Sequence, residues 1–117
     1  MEPSFKVNKI NFVQDGFKIG RLFFEVDCEF TNHKDIHLSG VFMEQDGPDG
    51  LVGFDFEFSL IKAPLNKNGK KLDDLGRVAR RIISREVLGL AFEKGFINEK
   101  VFKVSMESIG KEPDSNL

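Results

Sequence analysis

Strict alternation of apolar and acidic residues is the feature that most limits how this chain can fold. From Phe24 to Phe30, apolar side chains alternate with Glu25, Asp27 and Glu29. Segment 54–60 repeats the pattern, with phenylalanine at 54, 56 and 58. A period of two gives a β-strand one apolar and one polar face, whereas a helix would mix the two sets. We expect two strands whose buried residues are Phe24, Val26, Cys28, Phe30, Phe54, Phe56 and Phe58.

Two further strand-like segments accompany this pair. Apolar residues at 36, 38 and 42, with Gly40 among them, predict one strand, and a weaker pattern from Phe5 to Val13 predicts another. The first half of the chain is therefore expected to form four antiparallel strands. Turn-forming residues stand between these strands at 15–16, 31–34 and 46–50.

Length and composition bound the class of protein. The 117 residues, 40% hydrophobic and 31% charged, are typical of one globular domain. We assign this domain to residues 1–110 and expect 111–117 to be a flexible tail. No apolar run approaches the roughly 20 residues that span a bilayer, so we expect a cytoplasmic protein without membrane insertion. Cys28, the single cysteine, excludes a disulfide within the chain and is expected to be a buried small hydrophobe.

The net charge of −2 conceals a basic segment. Residues 62–85 hold 8 basic and 2 acidic side chains, whereas residues 1–61 carry a net charge of −6. Such a segment can attract an anionic partner, although a solvated surface would have the same composition. Arg77, Arg80 and Arg81 are its candidate contacts with an anion or partner. Arg77 and Arg81 would share a face in a helix and share one poorly in a strand.

The local pattern leaves residues 72–92 open between helix and strand. Apolar residues at 72, 75, 78, 79, 82 and 83 share one helical face. Extending the helix beyond residue 83 disrupts this apolar face, because Glu86 falls on it and Leu88 falls outside it. A hairpin with strands at 76–84 and 87–92 fits equally well, with Gly89 marking a bulge. The segment 97–109 can likewise be a strand or a short helix.

The sequence holds no arrangement typical of catalysis or metal binding. It lacks the common nucleophile, zinc and phosphate-loop motifs, and it has no tyrosine. His33 and His37 are four residues apart, a spacing that suits a metal only within a helix, and we interpret His37 as a surface residue of a strand. The acidic row at 25, 27 and 29 is interpreted as a solvated sheet face. We expect neither an enzyme nor a metal site.

Four segments, in order, resemble those of PilZ domains. Residues 35–42, Asp-Ile-His-Leu-Ser-Gly-Val-Phe, resemble the family's D/N-x-S-x-x-G segment and the strand after it. Gly53 and the alternation that follows it are similar to the G-x-x-V-x-L-x-L strand. Gly76-Arg-Val and the segment 87–92 resemble the G-x-V and closing G-x-x-F strands. The resemblance covers roughly residues 20–95, and it favours the hairpin over the helix at 76–92.

This resemblance implies a small six-stranded antiparallel β-barrel with little helix, so the predicted fold class is mainly β. Many PilZ domains bind cyclic di-GMP. Arginine forks grip its phosphates and guanines, and the D/N-x-S-x-x-G turn adds polar groups and a close backbone approach. The residues that the resemblance implies for such a ligand site are Asp35, His37, Ser39 and Gly40.

The chain departs from the family pattern on both sides of that site. His37 stands where the family has serine, and Ser39 follows two residues late. Near the N-terminus, where the family has R-x-x-x-R, this chain has only Lys6 and Lys9, and lysine does not replace a bidentate, stacking arginine. Arg77 and Arg81 form such a pair, but it comes after the motif. We expect cyclic di-GMP to bind no tighter than about 100 µM.

Three functions are consistent with these features. The first is a PilZ-like adaptor in cyclic di-GMP signalling that acts through protein contacts. The second is a true cyclic di-GMP receptor with basic residues recruited from 62–85. The third is an α+β module whose 72–84 helix presents arginines to nucleic acid or to an acidic protein. We favour the adaptor, with a protein partner and no cofactor, and regard nucleic acid as the weaker alternative.

Overall fold

A computed structural model describes residues 4–46, 52–63, 65, 68–69 and 75–111. The first half forms a four-stranded antiparallel meander in the order β1-β2-β3-β4, which confirms the four expected strands. Of the expected turns, 15–16 falls between strands. Only residues 31–32 of the expected turn 31–34 do so, because the third strand already begins at His33, and residues 47–50 lie outside the described part. The elements are β1 (Phe5–Phe12), β2 (Arg21–Phe30), β3 (His33–Asp46), β4 (Val52–Lys62), α1 (Arg77–Glu93) and α2 (Glu99–Lys111).

The register of the sheet assembles its apolar residues on one face, which we call the inner face. Val26 pairs with Leu38, and Cys28 pairs with Ile36; all four side chains are buried. Burial and the neighbouring acidic residues raise the pKa of the Cys28 thiol to about 12, so the thiol stays protonated and unreactive. The alternation in β2 thus predicted its buried face, and Cys28 is the buried residue we expected.

Four of the predicted core residues are less buried than the alternation indicated. Phe24 is 1% exposed, but Phe30, Phe54, Phe56 and Phe58 are half-buried and pack against the edge of the core. The three phenylalanines of β4 lie on the inner face, but among the described residues β4 is the last strand of the sheet. An edge strand has a neighbour on one side only, so its inward side chains keep part of their surface in contact with solvent.

The second half of the chain is helical, so the predicted hairpin at 76–92 is wrong. Helix α1 buries Ala79, Ile83, Val87 and Leu88. Gly76 is its N-cap residue, with a φ of 85° that favours glycine, rather than the start of a strand. The helical alternative covered residues 72–84, of which 72–74 lie outside the described part, and it ended before the observed end of α1 at Glu93. The true buried face is centred on Ile83 and Val87, which leaves Val78 48% exposed and Glu86 on the solvent side.

The predicted six-stranded barrel with little helix is also wrong for the described residues. They hold four strands, and the two outer strands, β1 and β4, do not pair with each other. The segments that would have supplied the closing strands form α1 and α2 instead, of 17 and 13 residues. Helices cover the inner face, so the sheet buries its apolar side without closing. The coarse prediction, a mainly β protein, is confirmed.

The described C-terminal part of the chain is mainly helical. Segment 97–109, left open between strand and helix, is largely the helix α2. This helix continues through Lys111, the first residue of the expected tail, and 112–117 lie outside the described part. Neither α1 nor α2 has the length and apolar character that crossing a membrane requires.

Candidate binding groove

A groove of about 640 Å³ lies between β4 and the two helices. Strand β4 supplies one wall and the first half of α1 supplies the opposite wall, while α2 contributes from its second half. We call it the β4 groove. Its lining residues are Phe42, Phe54, Asp55, Phe56, Glu57, Phe58, Ser59, Arg77, Arg80, Arg81, Ser84, Ser105, Ser108 and Ile109.

Phenylalanine rings form the apolar side of the groove. The rings of Phe56 and Phe58 stack with centroids 5.8 Å apart and an interplanar angle of 5°. Phe42 stacks on Phe54 at 5.5 Å and contacts Phe56 at 4.7 Å. These contacts hold the half-buried rings against the core. The groove therefore offers a preformed apolar surface whose side chains lose little freedom on binding.

Three arginines of α1 form the opposite, cationic wall. Arg77, Arg80 and Arg81 are three and four residues apart, so the helix brings them to one side, and all three line the groove. They stand in the first turns of α1, and its first turn holds no acidic residue. The positive end of the helix dipole adds to the same field. The sequence predicted these three residues as anion contacts, and the structure brings them together beside the phenylalanines.

Serines complete the groove where the helices meet. Ser84 of α1 is 5% exposed and Ser105 of α2 is 3% exposed. The Ser105 hydroxyl has no hydrogen-bond partner, although a buried hydroxyl usually has one. Sequence reasoning missed both serines, because an isolated serine in an uncertain helix carries no signal. The spacing of Ser105 and Ile109 would have placed them on one face only once 97–109 was known to be a helix.

The groove exposes the edge of β4 as well as its inner face. Six consecutive residues, from Phe54 to Ser59, line it, although successive side chains of a strand point to opposite faces. Because side chains from both faces of β4 line the groove, the groove runs along the backbone edge of the strand. The backbone N–H of Phe56 donates a hydrogen bond to Asp55 Oδ1 at 2.8 Å, so this N–H points away from β3.

The four residues that the PilZ resemblance implied lie elsewhere. All four belong to β3. Ser39 pairs with Glu25 on the outer face, and His37 pairs with Asp27 there; Asp35 is exposed near the start of the strand, with a φ of 56°. Gly40 is buried on the inner face, where it faces Phe24. The sheet therefore separates His37 and Ser39 from the three arginines, and the structure does not bring the two sets together.

His37 instead joins an acidic cluster on the outer face. Its Nδ1 contacts Asp27 Oδ1, and its Nε2 lies 3.7 Å from Glu25 Oε1. The hydrogen bond with Asp27 raises the pKa of His37 above its usual value of about 6.5, and the charges of both carboxylates act in the same direction. In the part of the chain that the structure describes, no three metal-ligating side chains are grouped closely enough to hold an ion.

The raised pKa predicts a pH-dependent contribution of His37 to stability. Folded His37 keeps its proton to a higher pH than unfolded His37, so its stabilisation is complete below about pH 6.5 and disappears as the pH rises through the raised value. Urea unfolding of the wild type and His37→Gln should therefore show a larger stability difference at about pH 5.5 than at about pH 9. An Asp27→Asn background should remove most of this dependence. A difference that does not change with pH would contradict the assignment.

Comparison with known proteins adds no family. No protein-family model matches this chain. A search of curated proteins finds no significant match, and a search of solved structures finds none either. The function is therefore argued from the β4 groove itself.

Proposed function

We propose that this protein is a binding adaptor whose β4 groove holds an acidic, partly apolar segment of a partner protein. One observation carries the proposal: Arg77, Arg80 and Arg81 line the same groove as three half-buried phenylalanine rings. Arginine and aromatic side chains dominate the energetics of protein interfaces. Side by side, they fit a ligand that has both carboxylates and apolar side chains.

The chemistry of the two walls supports a peptide ligand. A guanidinium holds a carboxylate with two parallel hydrogen bonds, which sets orientation as well as affinity. The rings of Phe54, Phe56 and Phe58 gain from burying apolar surface.

Nucleic acid fits this groove less well. Asp55 and Glu57 belong to its lining, and their carboxylates would repel a continuous row of phosphates. The whole chain also carries a net charge of −2, whereas nucleic-acid-binding domains are typically basic. A protein segment can place acidic residues toward the arginines and neutral or basic residues toward Asp55 and Glu57, so it can satisfy both walls.

A titration with charge-matched peptides tests the adaptor proposal. The probe is a nine-residue peptide of alternating threonine and glutamate in which leucine replaces the central glutamate, so that it carries an apolar side chain as well as carboxylates. It has a fluorescent label, and its control has lysine at every glutamate position. Anisotropy should show saturable binding of the acidic peptide, weakened by salt, and none of the basic peptide. Equal binding of the two peptides, or binding of neither, would contradict the proposal.

Cyclic di-GMP is a second candidate ligand of the same groove. Arg77 and Arg81 form an R-x-x-x-R pair one helical turn apart, beside ring faces on which a base can stack. The resemblance to PilZ segments is the reason to consider this ligand and to place the adaptor in cyclic di-GMP signalling. His37 and Ser39, which the family site would need, lie on the far face of the sheet.

Calorimetry with cyclic di-GMP separates the two candidates. We expect a dissociation constant weaker than about 100 µM, equivalent to less than roughly 5.5 kcal/mol, because the arginine pair would act without the β3 residues. Tighter binding that is lost in Arg77→Gln/Arg81→Gln would replace the adaptor with a receptor. Tighter binding that survives those substitutions but is lost in His37→Gln would move the ligand to the outer face.

A further inference from the structure

We infer that the partner segment binds to the β4 groove as an added β-strand, antiparallel to β4. This inference rests on the adaptor function proposed above and states how the ligand is held. The reasons lie in the backbone of β4, in the spacing of the arginines and in the charges along the strand.

In the part of the chain that the structure describes, no strand pairs with the outer backbone edge of β4. Among the described residues β4 is the last strand of the sheet, and it is 11 residues long, about twice the usual strand length. The Phe56 N–H bonds to Asp55 Oδ1 and is directed away from β3. Peptide groups alternate in direction along a strand, so Phe54 and Phe58 present their backbone groups to the same edge. Natural proteins usually block such an edge unless it pairs with another chain.

The helix wall suits a strand in the groove. A strand advances about 6.8 Å over two residues, and a helix advances about 6 Å over four. Acidic residues at alternate positions of a segment running along α1 can therefore meet Arg77 and Arg81 together. In an antiparallel strand, the residue opposite Phe56 points its side chain to the helix side and its backbone groups toward β4. The acidic positions of the segment are thus the ones that hydrogen-bond to the edge.

A second copy of β4 is a poorer occupant than a partner protein. Two β4 strands paired antiparallel would place Asp55 and Glu57 of one chain beside the same two residues of the other, because both strands alternate in the same way. Like charges on paired strands are destabilising. The partner strand should instead carry neutral or basic side chains on the face that it shares with Asp55 and Glu57.

N-methylated probes test strand addition separately from groove binding. One version of the threonine–glutamate peptide is methylated on the glutamate amides and the other on the threonine amides. Methylation of the glutamate amides removes the hydrogen bonds to β4 and should weaken binding at least about tenfold, because several hydrogen bonds are lost together. Methylation of the threonine amides should change the affinity little. The parent peptide should also slow hydrogen exchange at the amides of Phe54, Phe56 and Phe58.

The outcomes distinguish the two claims. If all three peptides bind equally, the groove binds acidic segments and strand addition is wrong. If only the threonine-methylated peptide loses affinity, the added strand is parallel, which retains strand addition and overturns its direction. If no peptide binds, the adaptor function fails as well. If hydrogen exchange shows that two copies of the chain pair along β4, a second copy occupies the edge. That result would overturn the proposal of a partner-protein strand.

Asp55 provides a variant with a matched control. The Asp55 carboxylate accepts a hydrogen bond from the backbone N–H of Phe56 at the strand edge. An incoming strand must displace this carboxylate to bind the N–H. Asp55→Ala should therefore raise the affinity for the acidic peptide by more than Glu57→Ala, which removes the same charge from the groove lining. Equal effects of the two substitutions would show that charge alone matters and would contradict the edge contact.

Discussion

Replacing Phe24 with alanine is expected to destabilise the protein by about 3–5 kcal/mol, as large-to-small changes in a core do. Phe24 is 1% exposed, and its ring lies 6.0 Å from the rings of both Phe56 and Phe58. Phe56→Ala should cost less, because Phe56 is half-buried and lines the groove. Urea unfolding gives both values, and a Phe56→Ala loss equal to that of Phe24→Ala would contradict this packing.

Gly40 shows why the position of Phe24 is so restricted. A Cβ at residue 40 would lie 2.4 Å from Phe24 Cζ, so Gly40→Ala should cost about 1–3 kcal/mol through overpacking. The double variant Gly40→Ala/Phe24→Ala should lose less stability than the two single variants together, because the new Cβ no longer meets the Phe24 ring. The matched control is Gly89→Ala in α1, where a Cβ would meet nothing within 4 Å. An additive double variant would show that Gly40 is needed for another reason.

Reversing two charges in the groove should abolish binding of the acidic peptide. Arg77→Glu/Arg81→Glu removes two guanidinium contacts and adds two carboxylates that repel the ligand. Charge-assisted hydrogen bonds contribute roughly 1.5–3 kcal/mol each, so we expect at least about a 100-fold loss of affinity. The fold should survive, because glutamate in the first turns of a helix interacts favourably with the helix dipole.

A second double reversal controls for net charge. Arg85 and Lys94 are both exposed and do not line the groove. Arg85→Glu/Lys94→Glu changes the net charge by the same amount and should lower affinity only slightly. Circular dichroism should show that both double variants keep their helix content. If both lose affinity equally, the long-range field of the chain attracts the peptide and the groove arginines have no special role.

The strands could be predicted because their signal is local. In β2, the apolar residues at the even positions from Leu22 to Cys28 are all buried, whereas Phe23, at an odd position, is 41% exposed. The alternating pattern did not indicate how deeply each residue is buried. Phe24 and Phe56 alternate in the same way, yet one lies in a central strand and the other at the edge. Burial of a strand residue depends on the neighbouring strand and on what covers the sheet, and neither is encoded within the strand.

The second half could not be predicted because its local signals conflict. Gly76 is compatible with a strand end and Gly89 with a bulge, and the apolar residues of 76–92 fit either period. The helix α1 forms because Ala79, Ile83 and Val87 can all pack on the inner face of the sheet at once. The PilZ resemblance weighed against this helix because it matched short segments and carried no information about that surface.

The sequence by itself determined the four strands, the two faces of β2 and the presence of three arginines in one basic segment, because each of these depends on residues only a few positions apart. Only the tertiary structure decided that the arginines face phenylalanines from β4, and that His37 and Ser39 lie on the opposite side of the sheet. Arg77 and Phe56 are 21 residues apart in the chain, and their meeting depends on how α1 packs against the sheet. That packing minimises exposed apolar surface over the whole fold, so no local pattern specifies it.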